Sequence, residues 1–321
     1  MQPILGLVVP CFNEHEMLEE TIKQLSAVLG ELIEKNKISS KSCMFLVDDG
    51  SKDSTWEIIE RHAIKDGMVS GVKLAGNVGH QNALMAGLEV AVKTCDATIS
   101  IDADLQDDIN VIELMVDKFN SGVDIVYGVR DSRESDSFFK KNSALMFYKL
   151  MTSMGTKTIY NHADYRLMSR RATEKLLSYP ERNLFIRGIV PTIGYTTDVV
   201  TYNRKPRTAG ESKYPLSKML ALAVNGITSF SIRPIRLIFS VGIIMFIITL
   251  LVSIYTLISY FVGHTIQGWT SLMLSLWFIG SLILISLGVI GEYVGKIYVE
   301  VKARPRYFVE KTIIYGKETK E

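Results

Sequence analysis

Two hydrophobic patterns divide the chain. Up to about residue 215, apolar runs of five to seven residues alternate with stretches whose apolar side chains recur every three or four positions. From Leu237 to Gly291 there is no Asp, Glu, Lys or Arg at all. The first pattern predicts strands at Ile4–Pro10, Cys43–Val47, Val69–Leu74, Ala97–Ile101 and Asp124–Val129. Between them it predicts helices at Glu16–Glu34, with Leu18, Ile22, Leu25, Leu29 and Ile33 on one stripe, from Ser54 to about Lys65, and over Gly79–Thr94. Alternating strands and helices imply an α/β domain with a mostly parallel sheet, which binds ligands at the carboxyl ends of its strands.

The second pattern reads as two membrane-crossing helices, Leu237–Val262 and about Trp269 to Ile290, since each supplies the roughly 20 apolar residues a span needs. Residues Gly263 to Gly268 form the break between them. Arg233 and Arg236 precede the pair, and Lys296, Lys302, Arg304 and Arg306 follow it, while the break has no Lys or Arg. The positive-inside rule then sets the domain and the tail in the cytoplasm. Pro215 to Ser231 reads as an interfacial helix, with Leu216, Met219, Leu220, Ala223, Ile227 and Phe230 on one face. Nearby Lys205, Arg207, Lys213 and Lys218 would face an anionic leaflet. The domains expected are therefore 1–214, 215–232, 233–294 and a tail, 295–321.

Charge and cysteine content narrow the field. A formal net charge of +2 leaves no nucleic-acid footprint. Cys11, Cys43 and Cys95 lack metal-ligand spacing and lie in or beside apolar runs, so they read as reduced core thiols. The N-terminus enters a strand directly, and no signal peptide is expected.

The polar residues gather at the predicted strand ends: Asn13 and Glu14, then Asp48 and Asp49, then Asn77, then Asp102 and Asp104. In an extended segment residues i and i+2 point the same way, so Asp102 and Asp104 can converge on one ion. Hard carboxylate oxygens, completed by diphosphate and water, suit Mg²⁺ or Mn²⁺.

Four segments, 9–14 (VPCFNE), 47–55 (VDDGSKDST), 77–81 (NVGHQ) and 102–107 (DADLQD), resemble in this order the family 2 glycosyltransferases of GT-A fold. The segments 164–170 (DYRLMSR) and 207–214 (RTAGESKY) and the two-helix anchor are similar to the branch that acts on polyprenyl phosphates. Cys11–Phe12 stands where many relatives carry a Tyr. The resemblance implies that Pro10, Phe12, Glu14, Asp48, Asp49, Asn77 and Asp102 bind a nucleotide. It implies that Asp102, Asp104 and Gln106 hold the metal and diphosphate, and that Asp164 works on the acceptor side. An acceptor phosphate has its second pKa near 6 and needs positioning more than a base, so Asp164 is expected to orient a neighbouring Arg or complete the site. An anionic acceptor approaching an anionic donor calls for cations, for which Arg130, Arg133, Arg207 and Lys213 are candidates, with Ser212 beside them.

The expected activity is inverting transfer of a hexose from a nucleotide-sugar to undecaprenyl or another polyprenyl phosphate, with UDP-glucose favoured over UDP-N-acetylglucosamine and GDP-mannose. A processive polysaccharide synthase would carry a Gln-x-x-Arg-Trp element and more spans. A non-catalytic membrane scaffold would not need Asp102 and Asp104 intact. Alternation of Phe308, Glu310, Thr312 and Ile314 predicts a strand in the tail. In relatives of this architecture such a tail can pair with a neighbouring subunit, so the resemblance implies a homo-oligomer such as a tetramer.

Overall fold

The computed structural model describes residues 2–131, 162–182, 184–203, 233–262 and 268–320. The interfacial helix expected over 215–232 lies outside them. The described residues form two compact units, one comprising the sheet with its helices and the tail, the other 233–302.

The sheet begins as the apolar runs predict. Strands β1 (Leu5–Cys11), β2 (Cys43–Asp48), β3 (Val69–Leu74) and β4 (Ala97–Ser100) alternate with helices α1 (His15–Glu34), α2 (Thr55–Lys65) and α3 (His80–Ala91). All four of these strands pair in parallel, in the order β4-β1-β2-β3. β1 and β2 are buried throughout, which is why they read as unbroken apolar runs rather than alternations. Helix α1 buries Leu18, Ile22, Leu25, Leu29 and Leu32, while Ile33 packs only partly against the core.

Beyond β4 the sheet becomes mixed. α4 (Ile112–Asn120) leads to β5 (Ile125–Arg130), followed by β6 (His162–Ser169), α5 (Arg170–Leu177), α6 (Ile186–Ile189) and β7 (Thr197–Tyr202). β6 enters antiparallel between β4 and β5, and β7 pairs in parallel with β5. The antiparallel insertion brings the beginning of β6 to the carboxyl end of β4, where Ser100 faces Arg166 across the ladder.

Two long helices follow, α7 (Arg233–Phe261) and α8 (Trp269–Lys302). At 1.5 Å per residue they extend roughly 43 and 51 Å, more than the hydrocarbon core of a bilayer. Among the described residues one stretch, Phe278–Lys302, is long and apolar enough by composition to cross a membrane. α8 runs past the expected end near Ile290, through Glu292, Lys296 and Glu300, because the helical periodicity continues after the apolar run stops.

The tail forms the strand its alternation predicts. β8 (Val309–Ile314) pairs antiparallel with β3 of its own chain, and β9 (Lys317–Lys320) completes a hairpin. β3 would otherwise leave a row of open backbone groups. Ion pairs hold the addition: Lys73–Glu310 at 3.0 Å and Lys311–Glu60 at 2.6 Å. Just before β8, the Arg306 guanidinium donates to the carbonyls of Tyr179 and Glu181.

At the start of β5, Asp124 is 5% exposed and accepts from Arg171 Nε and Nη2 at 2.6 and 2.5 Å. Thr196 and Ser169 hydroxyls add 2.8 and 2.9 Å bonds. Arg171 foremost pulls the carboxyl down to about 2. A depressed carboxylate contributes stability that is complete above its unfolded value near 4 and fades as pH falls toward 2. Asp124→Asn is expected to cost about 2 kcal/mol at neutral pH, with the gap to wild type closing below pH 4. Denaturation of the detergent-solubilised protein across that pH series measures both.

Candidate active site

The crevice opens at the carboxyl ends of β1, β2 and β4, where the strand order reverses direction beside β1. Its first wall is the pair of turns after β1 and β2. Asn13 adopts φ 55° and accepts from Lys52 N at 2.9 Å, while its own N–H donates to Ser51 Oγ at 3.0 Å. Glu14 N donates to Thr55 Oγ1 at 3.0 Å. Gly50 sits at φ +65°, and a Cβ there would lie 2.6 Å from the backbone of Gly76 and Asn77. Only glycine permits both that conformation and that approach.

Asp49 ties this wall to the 77–79 loop. Its Oδ1 accepts Val78 N at 2.7 Å and its Oδ2 accepts Gly79 N at 3.0 Å, while Asn77 Nδ2 donates to Asp49 O at 3.2 Å. The sequence reading gave this carboxylate to a nucleoside, yet both its oxygens already take backbone N–H groups. Asp48 accepts from Ser51 N at 3.1 Å. Burial raises the carboxyl of each. Pro10 is buried within β1, whereas the Phe12 ring is 42% exposed.

The second wall follows β4. Asp102 and Asp104 are both half-buried and flank the buried Ala103. Crowding by protein atoms pushes the Asp102 carboxyl up to about 6; His80, whose Nε2 lies 3.5 Å away, opposes this, and Asp164, Asp107 and Asp104 add to it. Asp104 Oδ1 accepts Gln106 N at 3.2 Å across Leu105, which adopts φ 51°. Gln106 is itself buried, and its backbone is what reaches Asp104.

Among the described residues no group of three or more His, Cys, Asp or Glu side chains converges as a metal cage. The donor set instead fits an ion that takes one or two carboxylates and completes its shell from substrate and water, as Mg²⁺ does. Burial first, and the neighbouring carboxylates after it, raise Asp102, and such an ion would offset both.

Asp164 stands near the start of β6, with its side chain 17% exposed. Arg166 Nη2 donates to its Oδ1 at 2.5 Å, and Arg187 donates from Nε to Oδ1 at 3.2 Å and from Nη2 to Oδ2 at 2.9 Å. Burial alone would raise this carboxyl, but the two guanidinium groups hold it well below the usual carboxylate range. Arg166 is 2% exposed, and its Nε and Nη1 have no hydrogen-bond partner among the described residues. Arg187 sits on α6, whose first N–H, from Ile186, donates to Gln81 Oε1 at 2.9 Å. The 77–81 segment thereby fixes both Asp49 and the helix that carries Arg187.

Arg130, at the end of β5, donates to Asp107 Oδ1 at 3.2 Å. Arg133, Arg207, Ser212 and Lys213 lie outside the described residues. Sequence reasoning gave no role to Arg187, Asp107, His80 or Gln81. Arg187 carries no signal, since nothing in the local sequence points to a partner 23 positions away. His80 and Gln81 stood within a quoted segment.

Residues 7–177 match the family described as glycosyl transferase family 2, and residues 233–297 match the GtrB C-terminal hairpin. An uncharacterized glycosyltransferase of Bacillus subtilis, YkoT, is 53% identical over 96% of this chain and 92% of its own length. The bactoprenol glucosyl transferase of Shigella phage SfII is 40% identical over 96% of this chain and 98% of its own. A prophage bactoprenol glucosyl transferase homolog of Escherichia coli K12 is 36% identical over the same shares.

The clamp made by Asp49 has a measurable signature. In Asp49→Asn an amide NH₂ replaces one acceptor, leaving a backbone donor unpaired at a cost of about 1–3 kcal/mol. Hydrogen exchange is expected to quicken at Val78 and Gly79 and to stay unchanged in β1 and β2.

Proposed function

The chain belongs to glycosyl transferase family 2, and from that premise we propose that it moves glucose from UDP-glucose onto a polyprenyl phosphate at the cytoplasmic face of a membrane, with inversion at the anomeric carbon. The observation that carries this reading is the fixed charge of Asp164. A carboxylate paired with two guanidinium groups is a poor base near neutral pH. An acceptor hydroxyl would need a base, whereas a phosphate monoester, already largely dianionic above its second pKa of about 6, does not. The bactoprenol glucosyl transferases among the relatives support the same acceptor class and the same sugar.

In this reading the exposed Phe12 ring stacks on the base, with Pro10, Glu14, Asp48 and Asn77 around the nucleoside. Asp102 and Asp104, with Gln106 beside them, hold the cation. Bound Mg²⁺ or Mn²⁺ supplies charge neutralisation of the diphosphate and of the leaving group. Arg130, with Arg133, Arg207, Ser212 and Lys213, receives the acceptor phosphate. A phosphate oxygen forms the new bond to the anomeric carbon as the bond to UDP breaks, and no proton need move. Asp164 keeps Arg166 and Arg187 oriented beside the reacting centre.

The membrane part of the reading rests on the match to a C-terminal hairpin and on the apolar stretch Phe278–Lys302. Two spans, with basic residues on the same side of both, leave the catalytic domain in the cytoplasm.

The deciding assay offers labelled UDP-glucose, UDP-N-acetylglucosamine or GDP-mannose to the purified protein with undecaprenyl phosphate, with Mg²⁺, Mn²⁺ or EDTA. An acid-labile glycolipid from UDP-glucose, lost with EDTA and in Asp104→Ala, is expected. Transfer from a different donor would replace the sugar, and transfer that survives EDTA would remove the metal. Because two carboxylates alone make a weak site, free Mn²⁺ followed by electron paramagnetic resonance is expected to persist with protein until UDP is added. Asp104→Ala should abolish that UDP-dependent uptake.

A further inference from the structure

Helix α6 has only 4 residues, too few to stand by itself, yet it carries Arg187 to Asp164. Its place is set by contacts on the chain around it. Ile186 N donates to Gln81 Oε1 on α3 at 2.9 Å. On the approach to α6, Glu181 O accepts from Arg306 Nε at 3.1 Å and Tyr179 O accepts from Arg306 Nη2. Both carbonyls lie outside helix and strand, so a side chain supplies what a ladder would. Arg182 Nη2 returns a bond to Ala303 O at 3.1 Å. The Tyr179 hydroxyl shares a 3.0 Å bond with Thr192 Oγ1, which joins the approach to α6 with the turn that leaves it. Tyr307, next to Arg306, donates to Glu89, two turns along α3 from Gln81. The contacts therefore close a ring: α3 holds α6, the approach to α6 holds the tail, and the tail holds α3.

We propose that Arg306 is a positioning residue that holds α6 so that the Arg187 fork meets both oxygens of Asp164, an inference that rests on the reading above in which Arg187 stands beside the reacting centre. Arginine suits the task, because its planar fork donates to two carbonyls from separate nitrogens at once. The grip falls within four residues of Lys302, the end of α8. The site is thus fastened to the first stretch of chain that follows the long apolar helices.

Arg306→Ala in the full chain, in detergent, tests this with two readouts. Hydrogen exchange is expected to quicken at residues 186–189 and to hold in β1 and β2; unchanged exchange at α6 overturns the grip. In sugar transfer kcat is expected to fall about fivefold, the scale of one hydrogen bond, while the KM for the nucleotide-sugar and the UDP-dependent uptake of Mn²⁺ stay as in wild type. A raised donor KM with kcat intact overturns the positioning role. Glu310→Ala loosens β8 and leaves Arg306 in place, so it should change neither kcat nor exchange at α6. An equal loss in that variant assigns the effect to the strand and overturns the role of Arg306. In an Arg187→Ala background Arg306→Ala should lower kcat no further, because the group it positions is gone; a further fivefold loss there overturns the route through Arg187. Full turnover in Arg187→Ala itself sinks the reading that sets Arg187 beside the reacting centre, and the positioning role with it, whatever the exchange shows.

Discussion

Asp164 sits where burial would neutralise a lone carboxylate, and the guanidinium groups of Arg166 and Arg187 keep it charged. Arg166 has no simple alternative among the described residues. Arg166 is enclosed within the sheet, with two nitrogens that find no acceptor among the described residues, and the ion pair with Asp164 is its means of tolerating burial. Removing the carboxylate would strand a buried cation. The position of the short helix α6 follows from the same constraint, because Arg187 must arrive with its fork aligned to both oxygens. The bond from Ile186 to Gln81 supplies that alignment. The 77–81 loop is therefore fixed at two points, by Asp49 on one side and by α6 on the other.

Most of the sheet was legible in the sequence because parallel strands buried on both faces leave continuous apolar runs. The runs at β1 to β5 lie within one or two residues of the observed strands. What was not legible is the antiparallel entry of β6. Its residues include Asp164 and Arg166, a charged pair at the heart of the sheet, and hydropathy has no means of marking such a strand as interior. The tail's alternation predicted a strand, but edge pairing depends on which edge is open, and that is a property of the assembled sheet.

The candidate site divides along the same line. Asp102 and Asp104 could be named from spacing alone, because their alternation along an extended segment is a local fact. Asp49 was readable as a carboxylate at a strand end but not as a clamp on a loop 28 to 30 positions away. Arg187 reaches Asp164 only through a neighbouring helix. Local spacing finds candidate ligands that come in pairs on one segment, and it misses single residues such as Arg187 that join from elsewhere.

The hairpin of β8 and β9 gives the sheet a dependence on the order of synthesis. Lys73 and its partner Glu310 are 237 positions apart, and the long apolar helices lie between them. A ribosome therefore releases β3 with one edge bare and supplies its partner strand only after both α7 and α8 have been made. Sheet completion waits for both helices, so a product truncated before β8 keeps an open edge of the kind that recruits other strands or chaperones. Closure of that edge reports that translation has reached the end of the hairpin.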